Sequence, residues 1–274
     1  MNIGRFELNK VYNEDCYKAI KDIPDKSIDL VYIDIPYDFE ANGGGGCFGT
    51  KKRDYHGEYE KVSQNTNASR VWNSTAKYAN DLAEIAFGID FSILEELCRV
   101  MKKIHIYIWC SKKQIPALLN YFLDKGCFFE ILTWHKTNPI PTCNNKYLSD
   151  TEYCLLFREE GTTVNNGTFK TKSKYYISEI NVKDKGLYEH PTIKPLPFVK
   201  NHIINSTKEG DVVLDCFLGS GTTAVACKEL GRNFLGFEID PKYYQIAVDR
   251  LNGITVAERK LKDQGVKNIF DFLE

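Results

Sequence analysis

Residues 30–37 read Leu-Val-Tyr-Ile-Asp-Ile-Pro-Tyr. The first half of this stretch is apolar and rich in residues that favour strands, which predicts a buried parallel strand. The strand brings Asp34, Ile35, Pro36 and Tyr37 to its carboxyl end, the edge where open α/β sheets bind ligands. Taken alone, the same residues also fit a strand that simply ends in an Asp-x-Pro turn.

The four residues at this strand end suit a flat base that carries an exocyclic amine. The Asp34 carboxylate and the Ile35 carbonyl can each accept a hydrogen bond from one N–H of the amine. Pro36 biases Ile35 toward extended geometry, which helps to fix the direction of that carbonyl. Tyr37 supplies an aromatic face for stacking. The stretch therefore predicts a base-binding site.

The composition is that of an ordinary globular enzyme. The chain has 274 residues, 43% hydrophobic and 27% charged, and its net charge of −1 gives no indication of a nucleic-acid partner. We recognise neither a membrane-spanning run nor a secretory leader, and therefore expect a cytoplasmic protein. Nine cysteines without a secretory signal predict reduced thiols, and the lack of any Cys-x-x-Cys pair or Cys/His cluster predicts no metal site.

A second ligand-binding unit lies further along the chain. Residues 212–215 predict a strand, residues 217–222 a tight glycine turn, and residues 223–230 a helix. A second strand follows and ends at Glu238, about twenty residues past the first glycine, where a ribose-binding carboxylate is expected. This βαβ pattern predicts a site for a cofactor that contains a nucleoside.

The same βαβ unit also satisfies the dinucleotide-binding fingerprint, with Gly219, Gly221 and Ala224 at the required spacing. Two observations argue against a dehydrogenase. The unit lies near the end of the sequence, which leaves no room for a following substrate domain, and the chain has another ligand-facing strand end at Asp34. The two strand ends indicate one site built from two halves.

Both halves resemble the amino-methyltransferases, which methylate N6 of adenine or N4 of cytosine. The tetrapeptide at residues 34–37 is similar to their motif IV, usually Asp-Pro-Pro-Tyr, with Ile35 in place of the first proline. The turn at residues 217–222 resembles motif I, and Glu238 resembles the acid of motif II. Asp15 matches the motif III acid near the cofactor's adenine.

Three further segments extend the resemblance over nearly the whole chain. Residues 190–195 match motif X, and residues 134–139 with residues 151–153 resemble motifs VII and VIII. The catalytic motif precedes the cofactor motif, which is the order of the β class. Within that class the chain looks most like the small N6-adenine DNA methyltransferases of restriction-modification systems.

The resemblance implies an α/β, Rossmann-like, S-adenosylmethionine-dependent methyltransferase fold. We expect a mostly parallel seven-stranded sheet with an antiparallel edge hairpin, a circularly permuted motif order and a small target-recognition insertion. Residues 1–157 would form the catalytic half of the domain, residues 158–190 the target-recognition segment, and residues 191–274 the cofactor-binding half.

The resemblance also implies roles for individual residues. The catalytic residues would be Asp34, Ile35, Pro36 and Tyr37. The cofactor, S-adenosylmethionine, would be bound by Asp15, Asp34, Thr192, Lys194, Asp215, Phe217, Gly219, Ser220, Gly221, Thr222, Glu238 and Ile239. We expect DNA contacts from a polar loop at residues 38–75 and from Lys51, Lys52, Arg53, Lys136, Asn138, Lys170, Lys172 and Lys174.

The implied activity is site-specific transfer of a methyl group to N6 of an adenine flipped out of duplex DNA. The alternatives are N4 of cytosine in DNA, adenine in RNA, or a catalytically silent nucleic-acid-binding module. An Asp at the first position of the tetrapeptide favours adenine within the family. The expected partners are double-stranded DNA, a restriction endonuclease that forms no stable complex with the chain, and a second copy in a homodimer.

Overall fold

The computed structural model describes residues 1–37, 89–139, 147–180, 182–190 and 192–263, so the predicted loop at residues 38–75 lies outside the described residues. The strands are β1 (Asn2–Ile3), β2 (Phe6–Glu7), β3 (Lys10–Tyr12), β4 (Leu30–Asp34), β5 (His105–Cys110), β6 (Phe128–Lys136), β7 (Thr151–Arg158), β8 (Tyr175–Ser178), β9 (Val212–Asp215) and β10 (Asn233–Phe237). β1 and β2 form a hairpin, and the others form an eight-stranded sheet in the order β3-β10-β9-β4-β5-β7-β6-β8.

Helices cover both faces of this sheet. They are α1 (Cys16–Ala19), α2 (Ile93–Val100), α3 (Ile115–Asp124), α4 (Val182–Tyr188), α5 (Leu196–Ser206), α6 (Thr222–Glu229), α7 (Pro241–Leu251) and α8 (Val256–Asp263). Short 3-10 helices span Ile20–Asp22 and Lys170–Lys172. No helix in the described ranges is long and apolar enough to cross a membrane.

The sheet is mostly parallel, as predicted, because β7 alone among its described strands runs antiparallel to its neighbours β5 and β6. The strand count differs from the prediction: β8 adds an eighth strand, parallel to β6, so the β6–β7 hairpin does not lie at the edge. β8 belongs to the segment at residues 158–190, which is polar and weakly periodic. A four-residue strand is too short for periodicity to reveal it.

The two central strands β4 and β5 are buried on both faces, as continuous apolar strands of parallel sheets are. One face packs with α2 and contributes Val31, Ile33, Ile106 and Ile108. The opposite face packs with α5 and contributes Leu30, Tyr32, Tyr107 and Trp109. Burying each such side chain stabilises the fold by roughly 1.5–3 kcal/mol, so both strands are firmly held.

The chain reverses its direction of travel across the sheet between β9 and β4. From β9 it passes through α6 to β10 on one side, and from β4 it passes through α2 to β5 on the other. Asp215 ends β9 and Asp34 ends β4. Ligands bind at such a switch point because the diverging connections leave a crevice there. The fold therefore places the two predicted half-sites side by side.

Candidate active site

The Asp34 carboxylate has two oxygens in different surroundings. Lys194, which precedes α5, places its Nζ 2.6 Å from Asp34 Oδ2. Asp34 Oδ1 is buried and has no hydrogen-bond partner among the described residues. Since nearly all buried polar atoms in folded proteins are paired, this oxygen can accept a hydrogen bond from a donor beyond the described residues.

Glu152, at the start of β7, holds the other side of Lys194. Its Oε2 lies 3.1 Å from Lys194 Nζ and accepts a hydrogen bond from the Tyr37 hydroxyl at 3.2 Å. Its Oε1 lies 2.5 Å from Lys136 Nζ, at the end of β6. Two ammonium groups and two carboxylates therefore alternate in one cluster, Lys136–Glu152–Lys194–Asp34, which has no net charge when every member is ionised.

The charges in this cluster alter one another's ionisation. Burial by itself would raise the pKa of Glu152, but Lys194 and Lys136 lower that pKa to about 2. Burial opposes the charge of Lys194, yet Asp34 and Glu152 raise its pKa above the ordinary value. Burial raises the pKa of Asp34, and Lys194 limits the rise. Lys194 and Glu152 are thus held as ions, and Asp34 is the member whose charge is most easily lost.

Aromatic side chains lie next to Lys194 in this cluster. Lys194 Nζ is 5.1 Å from the ring centroid of Trp109 and 5.1 Å from that of Tyr37. The Trp109 indole N–H donates to Tyr32 Oη at 2.9 Å, and Tyr32 Oη lies 3.1 Å from His202 Nδ1. Because an indole only donates, the Tyr32 hydroxyl must donate onward to His202. Burial lowers the pKa of His202 to about 3, so its ring is neutral and able to accept.

Ile35 and Pro36 continue from β4 in a restrained conformation. The Ile35 N–H donates to the Trp109 carbonyl at 3.2 Å, and the Ile35 side chain is only 2% exposed. The Pro36 carbonyl accepts from Gln114 Nε2 at 2.9 Å. The structure thus explains the departure from the family tetrapeptide: the isoleucine side chain packs in the core beside α2, while the backbone after it is held by Gln114.

One cavity joins Asp34 to the predicted cofactor residues. Its lining includes Asp34, Thr192, Lys194, Asp215, Phe217, Gly219, Ser220 and Thr222. Asp215 accepts a hydrogen bond from the Phe217 N–H at 3.0 Å, and burial raises the pKa of Asp215 to about 7. The structure therefore brings most of the residues predicted from the two half-sites around a single space.

Glu238 shapes the glycine turn beside this cavity. Its Oε2 accepts from the Gly219 N–H at 2.7 Å, and its Oε1 accepts from the Asp240 N–H at 2.9 Å. Gly219 and Gly221 have φ values of 53° and 80°, a region that favours glycine. A Cβ on Gly221 would lie 3.0 Å from the Cβ of Ala247 in α7, so this glycine also permits close helix packing.

Four predicted cofactor residues are outside the cavity lining: Gly221 and Glu238, described above, and Asp15 and Ile239. Asp15 caps α1, where its side chain accepts from the Tyr17 N–H at 3.0 Å. Ile239 is 68% exposed at the end of β10. Asn13 ties the two loops together because its Nδ2 donates to the carbonyls of Glu238 and Ile239, at 2.8 and 3.0 Å.

Two buried residues that the sequence analysis did not select support the cavity. Arg250 of α7 donates to Thr222 Oγ1 at 2.7 Å and to Ser220 Oγ at 3.1 Å, so these hydroxyls are held from behind the turn. His190 lines the cavity, and its Nδ1 accepts from the Thr192 N–H at 3.3 Å. His190 stands in a recognisable motif, whereas nothing in the local sequence marks Arg250.

A family model described as DNA methylase, covering N6 and N4 methyltransferases, matches residues 28–249. The chain belongs to the N6/N4 DNA methylase family. The match includes both half-sites, from the strand that carries Asp34 to the helix that follows Glu238. The predictions of an S-adenosylmethionine-dependent DNA methyltransferase and of its fold class are therefore confirmed.

Individual relatives agree with this membership of the methylase family. The type II methyltransferase M.HinfI of Haemophilus influenzae is 29% identical over 92% of this chain and 70% of its own length. The type II methyltransferase M2.LlaDCHI of Lactococcus lactis subsp. cremoris is 29% identical, and 87% of each chain is covered.

Solved structures show the same fold as this methylase. The M1.HpyAVI–SAM complex matches with a TM-score of 0.60 and 25% identity, over 89% of this chain and 98% of that chain. The cytosine-N4-specific PvuII DNA methyltransferase matches with a TM-score of 0.63 and 16% identity, over 96% of this chain and 94% of that chain. The cavity of the methylase fits S-adenosylmethionine, because the glycine turn in its lining lets a ligand approach the backbone closely and the neighbouring Asp215 carboxyl group can accept hydrogen bonds.

The described residues among those predicted to bind DNA do not form one surface in the methylase. Lys136 is engaged with Glu152, and Asn138 Oδ1 accepts from the Ile180 N–H at 2.6 Å, which ties together the chain beyond β6 and β8. Lys51, Lys52 and Arg53 lie outside the described residues. The remaining three lie in one exposed segment: Lys170, Lys172 and Lys174.

That lysine segment is anchored away from the catalytic cluster of the methylase. Thr171 donates to Asn205 Oδ1 at 2.7 Å, at the end of α5 remote from Lys194. Roughly 14 Å of helix separates the two ends of α5. Lys174 Nζ lies 2.5 Å from Glu130 Oε2 on β6. The DNA-binding role of this segment stays a prediction, and the structure does not bring it to Asp34.

Proposed function

We propose that this methylase transfers a methyl group to N6 of an adenine in double-stranded DNA. The observation that carries the proposal is the buried, unpartnered Oδ1 of Asp34 at the edge of the donor cavity. An amine that donates to this oxygen removes the cost of an unsatisfied buried acceptor. The Asp-x-Pro-Tyr arrangement thus recognises an exocyclic amine on a flat ring.

The residues of the cluster would activate the amine without forming a covalent bond to it. The adenine amine is a weak nucleophile because its lone pair is delocalised into the ring. Acceptors at Asp34 Oδ1 and the Ile35 carbonyl favour a pyramidal nitrogen whose lone pair points outward. When bound, S-adenosylmethionine supplies a methyl group on a positively charged sulfur. Positioning and electrostatics then account for most of the rate.

The chain would hold the donor with the residues that line and shape the cavity. Glu238 has acceptor capacity beyond its hydrogen bonds with Gly219 and Asp240 and would accept from ribose hydroxyls. Asp15, which caps α1, would contact the donor's adenine, as the resemblance implies. Thr192 lines the cavity and would contact the methionine end, as the resemblance also implies. Asp34 lines the same cavity and would face the reacting methyl group.

The target base would leave the duplex, since its amine is inaccessible in a stacked helix. Flipping costs a few kcal/mol, and stacking on Tyr37 returns about 1–3 kcal/mol. Phosphate contacts would supply the remainder. We also propose that the enzyme acts in the cytoplasm and forms a homodimer. As its type II relatives suggest, it would share a restriction-modification system with an endonuclease, without a stable complex between the two. Sedimentation at several protein concentrations tests the dimer.

Labelled S-adenosylmethionine and duplex DNA test the proposed reaction. After digestion to nucleosides we expect label in N6-methyl-2′-deoxyadenosine, and RNA substrates should remain unlabelled. Label in N4-methylcytosine would overturn the choice of base, because an Asp acceptor suits either amine. No label in any nucleic acid, with donor binding intact, would overturn the activity itself.

A further inference from the structure

We propose that Glu152 and Lys194 are positioning residues for methyl transfer: Glu152 holds Lys194 so that Lys194 occupies one oxygen of Asp34 and leaves the other for the target amine. This inference rests on the proposed function. The resemblance implies a cofactor role for Lys194 and places Glu152 in a stretch similar to motifs VII and VIII. The structure also connects both residues to Asp34.

The geometry of Lys194 supports this role. An ammonium group on a flexible stem has three donors and could bridge both oxygens of a carboxylate. Here Nζ lies 2.6 Å from Asp34 Oδ2 and 3.1 Å from Glu152 Oε2, so its donors are shared between two carboxylates on different strands. The side chain is only 7% exposed, which leaves it little freedom to swing toward Asp34 Oδ1.

The position of Glu152 is itself fixed by two further contacts. Lys136 Nζ lies 2.5 Å from Oε1, and the Tyr37 hydroxyl donates to Oε2 at 3.2 Å. Glu152 therefore connects the acceptor, through Lys194, to the ring on which the base would stack. Loss of the Glu152 charge would leave Lys194 free to pair fully with Asp34, and the acceptor for the amine would be lost.

The ionisable groups around Asp34 come from several elements. They are Lys194 before α5, Glu152 and Cys154 on β7, Cys110 on β5, Asp215 on β9, and Tyr32 and Tyr37 on or beside β4. Glu152 also faces Lys136 and Lys185. Among them, Glu152 raises the pKa of Asp34 and Lys194 lowers it. The two positioning residues thus shift the pKa of Asp34 in opposite directions.

That opposition gives a test that a purely structural role would not satisfy. Methyl transfer requires ionised Asp34, so the rate should fall as pH drops through the pKa of Asp34. Glu152→Gln removes a negative neighbour, lowers that pKa and should shift the acid limb of kcat to lower pH. Lys194→Gln removes a positive neighbour and should shift the limb to higher pH. Each variant should also lose at least about 30-fold in kcat at the optimum.

Glu130→Gln is the matched control. Glu130 lies on β6, the strand next to the one that carries Glu152, and makes an exposed ion pair with Lys174. This variant should keep the wild-type kcat and pH profile. Asp215 also lines the cavity and has a pKa raised by burial to about 7, but a limb set by Asp215 would move little in either variant, because the charges that act on Asp215 are those of Asp34 and Glu238. Shifts in the same direction, or a kcat of Glu152→Gln within about threefold of wild type, would overturn the inference.

Folding and function can be separated in this design. Donor binding and Tm are measured for each variant, and if Glu152→Gln does not fold, Glu152→Asp replaces it. The aspartate keeps the charge but shortens the reach, so kcat should fall while the acid limb stays in place; a shifted limb would contradict the assignment. If wild-type enzyme labels no nucleic acid, the proposed function fails. If wild type is active and the variants behave like it, only the positioning role fails.

Discussion

The two halves of the site are held together by different means. The Asp34 half depends on ion pairs between side chains from β4, β6, β7 and the start of α5, which lie far apart in the sequence. The Glu238 half lies within one βαβ unit and depends on carboxylates that accept from backbone N–H groups of its own turns. One half is a tertiary charge network, and the other is a locally encoded backbone shape.

This difference predicts how each half responds to substitution. A charge network loses its geometry when one charge is removed, because the remaining partners are buried and rearrange. A backbone shape tolerates changes in side-chain charge better but is sensitive to any added atom at its glycines. Substitutions in the catalytic half should therefore lower kcat, and substitutions in the cofactor half should lower donor affinity or stability.

Asp34→Ala should give the largest effect, a loss of at least about 10²–10³-fold in kcat, since the acceptor for the amine disappears. Donor affinity, measured by calorimetry, should stay within about threefold of wild type. Asp34→Asn keeps the shape of the side chain and one acceptor oxygen, so its kcat should lie between those of the wild type and Asp34→Ala. Loss of donor binding without a change in the rate of the chemical step would reverse the assignment of Asp34.

Gly221→Ala should destabilise the fold by about 1–3 kcal/mol, measured by denaturant unfolding. The new Cβ meets Ala247, and the φ of 80° is unfavourable for alanine. Gly186→Ala is the control, because Gly186 lies in α4 with no atom within 4 Å of an added Cβ. The control should be neutral or slightly stabilising. Equal effects at both positions would show that close packing at the turn is unimportant.

Glu238→Gln should weaken donor binding by about tenfold, because a neutral amide accepts more weakly than a carboxylate. The kcat at saturating donor should change little, which contrasts with the Asp34 variants. Exposed Glu209 provides the control substitution, Glu209→Gln, for which no change in affinity is expected. An unaltered affinity in Glu238→Gln would remove Glu238 from the donor site.

The smallest expected effect is a change in the salt dependence of DNA binding, which we compare between two groups of lysines. Lys112 and Lys113 are exposed directly after β5, in a turn that Gln114 ties to the Pro36 carbonyl. Replacing both by Gln should reduce the salt slope by up to about 1.8, since each phosphate contact contributes about 0.9. A triple variant should reduce the salt slope less than this double variant does; it carries Gln in place of Lys170, Lys172 and Lys174 in the exposed segment. The reverse result would place DNA along β8.

Much of the fold could be predicted from sequence because its signals are local. β4 and its acid, the glycine turn, and the acid of β10 follow from continuous apolar runs and the residues that interrupt them. β8 could not be predicted, since its pairing with β6 depends on residues about forty positions away. The burial of Ile35 beside α2 likewise depends on packing between elements, which no local pattern records.

The local motifs predict the family, the reaction class and most residues of the two half-sites, because each motif is a short strand end or turn whose chemistry is local. Which side chains meet depends on how the elements pack. The fold pairs Lys194 with Asp34 in the lining of the donor cavity, pairs Lys136 with Glu152, and places Arg250 behind the glycine turn. The physical reason is that a buried charge must find its partner in space, wherever the fold brings one.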